Sequence, residues 1–92
     1  MSVKMVVIGE NMKRIKKAAK QIGATWYQAW NINPWDANLA MRRNEVWIRR
    51  KMKEGCLIID IGIDPTRNTR SPFYAMEIRI LQQEGYTNIR VW

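Results

Sequence analysis

The sequence predicts an α/β domain, a small three-layer α/β/α arrangement around a mostly parallel four-stranded sheet in the order β-α-β-α-β-α-β. Three observations carry this. Short apolar runs alternate with longer stretches of helical periodicity, the connections between the runs are too long for hairpins, and glycines mark the ends of the elements. At 92 residues the chain is one domain, residues 1–92, of a size at which a single hydrophobic core is just sufficient.

Each element follows from its residues. Lys4–Ile8 reads as a short buried strand. Asn11 offers an N-cap, and Met12, Ile15, Ala19 and Ile22 recur at helical spacing until Gly23 ends the helix. Thr25–Trp30 has the β-branched and aromatic content of a second strand, although its aromatics also suit a loop packed under a helix. Asn31–Pro34 is loop, and Trp35–Glu54 is helical, with Met41, Ile48 and Met52 on one side and arginines on the other. Cys56–Ile61 is nearly continuous in apolar residues, as a central strand covered on both faces requires. Asp64–Arg70 is loop, Ser71 caps and Pro72 opens a third helix that stops before Gly85, and Asn88–Trp92 is the last strand.

Composition narrows the chemistry. The chain has no histidine and one cysteine, Cys56, so neither a Cys/His zinc site nor an imidazole-dependent triad can be assembled within it. Any general acid or base must come from Asp, Glu, Tyr, Lys or a group of the substrate. No stretch reaches the roughly 18 apolar residues of a membrane span, and the apolar part of the first residues is too short for a secretory signal, so a cytoplasmic location is expected.

Sixteen Lys and Arg against eight Asp and Glu leave a net charge of +8, a balance that suits a polyanionic partner: nucleic acid, an acidic protein or anionic lipid. Eleven of the sixteen cations lie on two segments, Lys13–Lys20 and Arg42–Lys53. Lys13, Lys16, Lys17, Lys20, Arg42, Arg43, Arg49 and Arg50 are the expected contacts to a phosphate backbone. A pair of solvated helix faces is the plainer explanation, against which stands the repulsion between like charges one helical turn apart.

In open parallel sheets ligands bind beyond the carboxyl ends of the strands. Glu10, Asp60 and Asp64 fall there. Each has a structural alternative, as a complement to a helix dipole, a backbone cap and an Asp-Pro turn respectively. Arg67, Arg70 and Ser71 would form an anion pocket at the start of the third helix, or the arginines would pair with the aspartates. Glu77 sits among Phe73, Met76, Ile80 and Leu81 on an apolar helix face, where a carboxylate is costly unless paired or protonated. Tyr74 is placed to hydrogen-bond into the same region. The tryptophans Trp26, Trp30, Trp35 and Trp47 either stack on bases or fill the core.

The stretch Ile58-Ile59-Asp60-Ile61-Gly62-Ile63-Asp64-Pro65, followed by Arg67, by Arg70-Ser71-Pro72-Phe73-Tyr74-Ala75-Met76-Glu77 and by Glu84-Gly85-Tyr86, resembles the closing segment of bacterial polymorphic toxins. These are the variable C-terminal domains of RHS-repeat and contact-dependent-inhibition proteins. Asn44–Ile48 is similar to theirs as well, so the resemblance covers about Asn44 to Tyr86, and Val6–Trp30 more loosely. It implies delivery from a secreted carrier into rival cells and neutralisation by a dedicated, acidic immunity protein. Many such domains are nucleases. The expectation is therefore a nuclease, metal-independent or assisted by Mg²⁺, with Asp60, Asp64, Arg67, Arg70, Ser71 and Glu77 at the scissile phosphate. The alternatives are a non-catalytic module of the same fold binding nucleic acid or a phosphorylated ligand, and an interaction domain, for instance a homodimer.

Overall fold

The computed structural model describes residues 4–28 and 36–92. The expected roles of Trp30, Pro34 and Trp35 lie outside the described residues. Strands β1 (Met5–Ile8), β2 (Thr25–Trp26), β3 (Leu57–Asp60) and β4 (Ile89–Val91) alternate with helices α1 (Met12–Ile22), α2 (Ala37–Lys53) and α3 (Pro72–Gln83). All strand pairs are parallel, in the order β2-β1-β3-β4. The predicted architecture is thus the observed one. The second strand is shorter than expected, because after Trp26 the chain leaves the sheet and Tyr27 packs its ring against Trp47 of α2, with centroids 5.4 Å apart.

The helices begin and end where side chains satisfy their free backbone groups. Asn11 accepts from the Lys13 amide, Asp36 from Leu39 and Ser71 from Tyr74, while Gly23 adopts the left-handed conformation that closes α1. Strand alternation then divides the core into two layers. Val6, Ile8 and Ile58 face α2 and α3, meeting Ile48, Met76, Ile80 and Leu81. Val7 and Ile59 face α1, meeting Ile15, Ala18 and Ala19.

From β1 the chain moves outward to β2, then crosses back over to β3 and on to β4. The direction of winding therefore reverses between β1 and β3, and loops 9–11 and 61–71 part to opposite faces at that point. This is the crevice in which doubly wound sheets place ligands. The two loops are closely joined at their base, where the Ile61 amide donates to the Ile8 carbonyl and the Glu10 amide to the Gly62 carbonyl, each at 3.0 Å. Gly9 is needed for this approach: a Cβ there would lie 2.4 Å from Ile61 Cγ1 and 3.2 Å from the Gly62 carbonyl oxygen. A Gly9→Ala variant is expected to lose about 1–3 kcal/mol through overpacking, measurable as a lower urea midpoint with an unchanged slope.

Candidate functional site

At the crevice the strongest feature is a buried acid. Glu10 leaves the end of β1 only 1 % exposed, and its carboxylate crosses to the loop that follows β3. There it accepts from the Asp64 amide at 2.9 Å and the Ser71 amide at 2.7 Å, with the Arg70 guanidinium 3.3 Å away. These partners, the Ser71 amide above all, hold Glu10 below the usual carboxylate range, against the opposing effect of burial. The anion pocket expected at the start of α3 is therefore occupied by the chain's own carboxylate. Arg70 is held further by its contacts to the Arg67 carbonyl at 2.9 Å and the Asp64 carbonyl at 3.4 Å.

Asp64 is the second buried acid. Its Oδ2 accepts from the Asn11 amide group at 2.9 Å, and its Oδ1 from both the hydroxyl and the amide of Thr66, at 2.7 and 3.0 Å. The Asn11 bond, with those from Thr66, keeps Asp64 ionised far below its ordinary range. Arg67 lies 3.6 Å from the same carboxylate. Asn11 uses its carbonyl oxygen to cap α1 and adopts a φ of 74°, a positive value that asparagine tolerates better than most residues.

Asp60, at the end of β3, accepts from the Gly62 amide at 2.8 Å and the Tyr74 hydroxyl at 2.7 Å through Oδ1. Burial, and then this bond to a carboxylate, push the Tyr74 phenol well above its usual range. Arg14, which sequence alone groups with the surface cations, turns inward. It donates to the carbonyls of Glu10 and Ile61 at 3.1 and 3.2 Å, and its reach to Gly62 is 3.5 Å. Both loops are thus tied to α1.

Beside this network lies a cavity of about 360 Å³, at the small end of the roughly 300–1,000 Å³ typical of ligand pockets. Ile8, Met12, Ile15, Tyr27 and Phe73 line it, together with Asn11, Arg67 and Ser71, while Asn44 and Glu77 are its buried polar members. Asn44 is 2 % exposed and Glu77 5 % exposed. Burial raises the Glu77 carboxyl to about 8, helped by the charge on Asp60 and opposed by the adjacent Asn44 side-chain amide. At neutral pH it is a neutral acid. The Asn44 carbonyl oxygen, also buried, accepts no hydrogen bond among the described residues.

The expected site residues are therefore brought to one rim but divided between two tasks. Asp60, Asp64 and Arg70 stitch loops together, Glu77 belongs to the cavity, and Ser71 and Arg67 belong to both. Glu10, which the sequence does not place at the scissile phosphate, is the most deeply buried of the three acids. Asn44 and Tyr27 were not singled out. Position 44 follows Met41 and precedes Ile48 at helical spacing, the same signal that marked Glu77.

The basic segments do not form one track. Lys13, Lys16, Lys17 and Lys20 are exposed on α1, on one side of the sheet. Arg42, Arg43, Arg49 and Arg50 are exposed on α2, on the other. Arg49 is engaged with Glu45 and Glu84, at 3.0 Å each. Among the described residues no group of three or more His, Cys, Asp or Glu is arranged to hold a metal ion. Trp26 packs against the α1 layer of the core and Trp47 against the α2 and α3 layer. No protein-family profile, curated protein or solved structure matches the chain.

The depressed ionisation of Glu10 sets a direction for acid unfolding. Its contribution is complete above the unfolded-state value of about 4.3 and disappears as the pH falls below it. Glu10→Gln, which presents a donor to the same amides, is expected to melt lower at neutral pH. Its melting temperature should also change less than that of the wild type between about pH 5 and pH 3, near the unfolded carboxylate value, as read by circular dichroism.

Proposed function

We propose that the protein is a nucleic-acid-directed module that binds a phosphate-bearing unit of its partner at the rim cavity. One observation carries this reading. The acids expected at a scissile phosphate, Asp60 and Asp64, together with Glu10, are committed to loop amides, hydroxyls and an amide group, whereas the adjoining cavity combines apolar walls with the Arg67 guanidinium and an uncharged acid. Arg67 is half exposed, so it can hold an incoming phosphate. The exposed lysines and arginines of α1 and α2 add affinity that does not depend on sequence.

Arg67→Ala is expected to weaken binding of single-stranded RNA or DNA similarly for all sequences and to reduce the salt slope of log affinity by about one, as measured by fluorescence anisotropy. Absence of binding by the wild-type protein at physiological salt overturns the reading.

A second reading, a nuclease of the polymorphic-toxin kind, is favoured by Glu77, whose carboxyl is held near neutrality, where acid–base catalysts work best. In that role Glu77 gives its proton to the leaving oxygen as the P–O bond breaks. The attacking oxygen, from water or a neighbouring hydroxyl, forms the new bond to phosphorus and releases its proton to solvent. Arg67 offsets the charge on the phosphate. Glu77→Gln should then lower cleavage of tRNA, rRNA or DNA by about a hundredfold or more, whether Mg²⁺ is present or not. Because a general acid must be protonated, activity should fall above about pH 8. The same substitution should raise the melting temperature, and more so at high pH: the wild type takes up a proton on folding between the unfolded value of about 4.3 and the folded one, so its stability declines across that range. Intact substrate with and without Mg²⁺ eliminates the nuclease. Growth arrest on expression in a host cell, lifted by an acidic partner protein, would join this reading to the toxin and immunity arrangement that the resemblance implies.

A further inference from the structure

The polar atoms of the cavity point to a more specific ligand. Asn44 lies on α2 at a position that helical spacing assigns to the core, between Met41 and Ile48. It is buried there beside Glu77, which its side-chain amide meets, and among the described residues its carbonyl oxygen accepts no hydrogen bond. A buried acceptor without a donor destabilises the fold, and leucine at this position would remove that cost. Its neighbour Glu77 is likewise buried on an apolar helix face. The deep part of the cavity therefore presents an acceptor and a carboxyl group, with aromatic side chains, Tyr27 and Phe73, in the surrounding wall. A phosphate does not suit this floor, since its oxygens bring no donor to the Asn44 carbonyl oxygen. An aliphatic chain would leave the Asn44 oxygen still unpaired.

We infer that the cavity receives a single unpaired nucleobase, whose edge bonds to Asn44 and Glu77 while its sugar-phosphate remains at Arg67. The ligand class matches the walls on each count. A base is flat and neutral, it stacks on aromatic rings, and its edge carries the donors that a buried carbonyl lacks. Duplex cannot deliver one without extrusion, so single strands, loops and ends are the preferred substrates. This rests on the reading of the rim as a nucleic-acid site and names the chemical group that the site selects.

The test is an NMR titration of the ¹⁵N-labelled protein with the four ribonucleosides, the four nucleoside 5′-monophosphates, ribose 5-phosphate and inorganic phosphate. Nucleosides and nucleotides are expected to shift the Asn44 side-chain amide saturably, with one base preferred. Ribose 5-phosphate should bind at least about tenfold more weakly, the equivalent of one well-made hydrogen bond. Asn44→Leu should weaken nucleoside binding by about tenfold while holding or raising the melting temperature, and Phe73→Ala, at a more exposed position, should weaken it by a smaller factor. Equal binding of ribose 5-phosphate and the nucleotides, or unchanged affinity in a folded Asn44→Leu variant, overturns the base pocket and leaves the phosphate site standing. Nucleoside binding without any affinity for single-stranded nucleic acid does the reverse.

Discussion

The rim of this domain depends on one buried carboxylate. β1 and β3 are adjacent in the sheet, but the loops that follow them depart to opposite faces, α1 on one and α3 on the other. Beyond the backbone bonds at their base, Glu10 holds them together by carrying a charge from the first loop into the second, where two backbone amides and a guanidinium receive it. A buried charge is tolerable only when so fully satisfied. Satisfaction here also positions Ser71, and with it the start of α3 and the helix face that bears Glu77. Arg14 performs the complementary task, gathering carbonyls that the two loops leave without strand partners.

The division between satisfied and unsatisfied polar groups separates scaffold from site. Glu10, Asp60 and Asp64 each accept at least two hydrogen bonds from the chain itself, and those bonds fix the loops. Among the described residues Glu77 meets the Asn44 side-chain amide and the Asn44 carbonyl oxygen accepts no hydrogen bond, although both side chains are buried. A core optimised for stability alone would place aliphatic side chains at both positions. Their retention beside a cavity, rather than in the packed layers on either side of it, is what directs attention to that space.

Much of the fold was legible because it rests on patterns confined to a few residues. Cys56-Leu57-Ile58-Ile59 could only be an interior strand, Ser71-Pro72 could only open a helix, and Gly23 closed one. The second strand was overextended because Trp26 and Tyr27 look alike as strand formers, and only the position of Trp47 decides which of them leaves the sheet. The site was legible in its location and in the oddity of Glu77, but not in its assignment of roles. Whether Asp64 meets a phosphate or Thr66 and Asn11 depends on loop paths that no periodicity encodes. Nor does charge counting reveal that Arg14 turns inward while Lys13 and Lys16 remain in solvent.

The placement of α1 opposite α2 has an effect on how copies of the chain meet one another. With exposed cations on both broad sides of the sheet and a net charge of +8, the face-to-face approach of two copies is opposed by charge. That repulsion reaches about 8 Å at physiological ionic strength and about 30 Å in dilute buffer, so colloidal behaviour in solution follows the salt concentration. A polyanion changes the balance, since a strand long enough to pass around the edge of the sheet can neutralise both sides of one molecule or bridge the near sides of two.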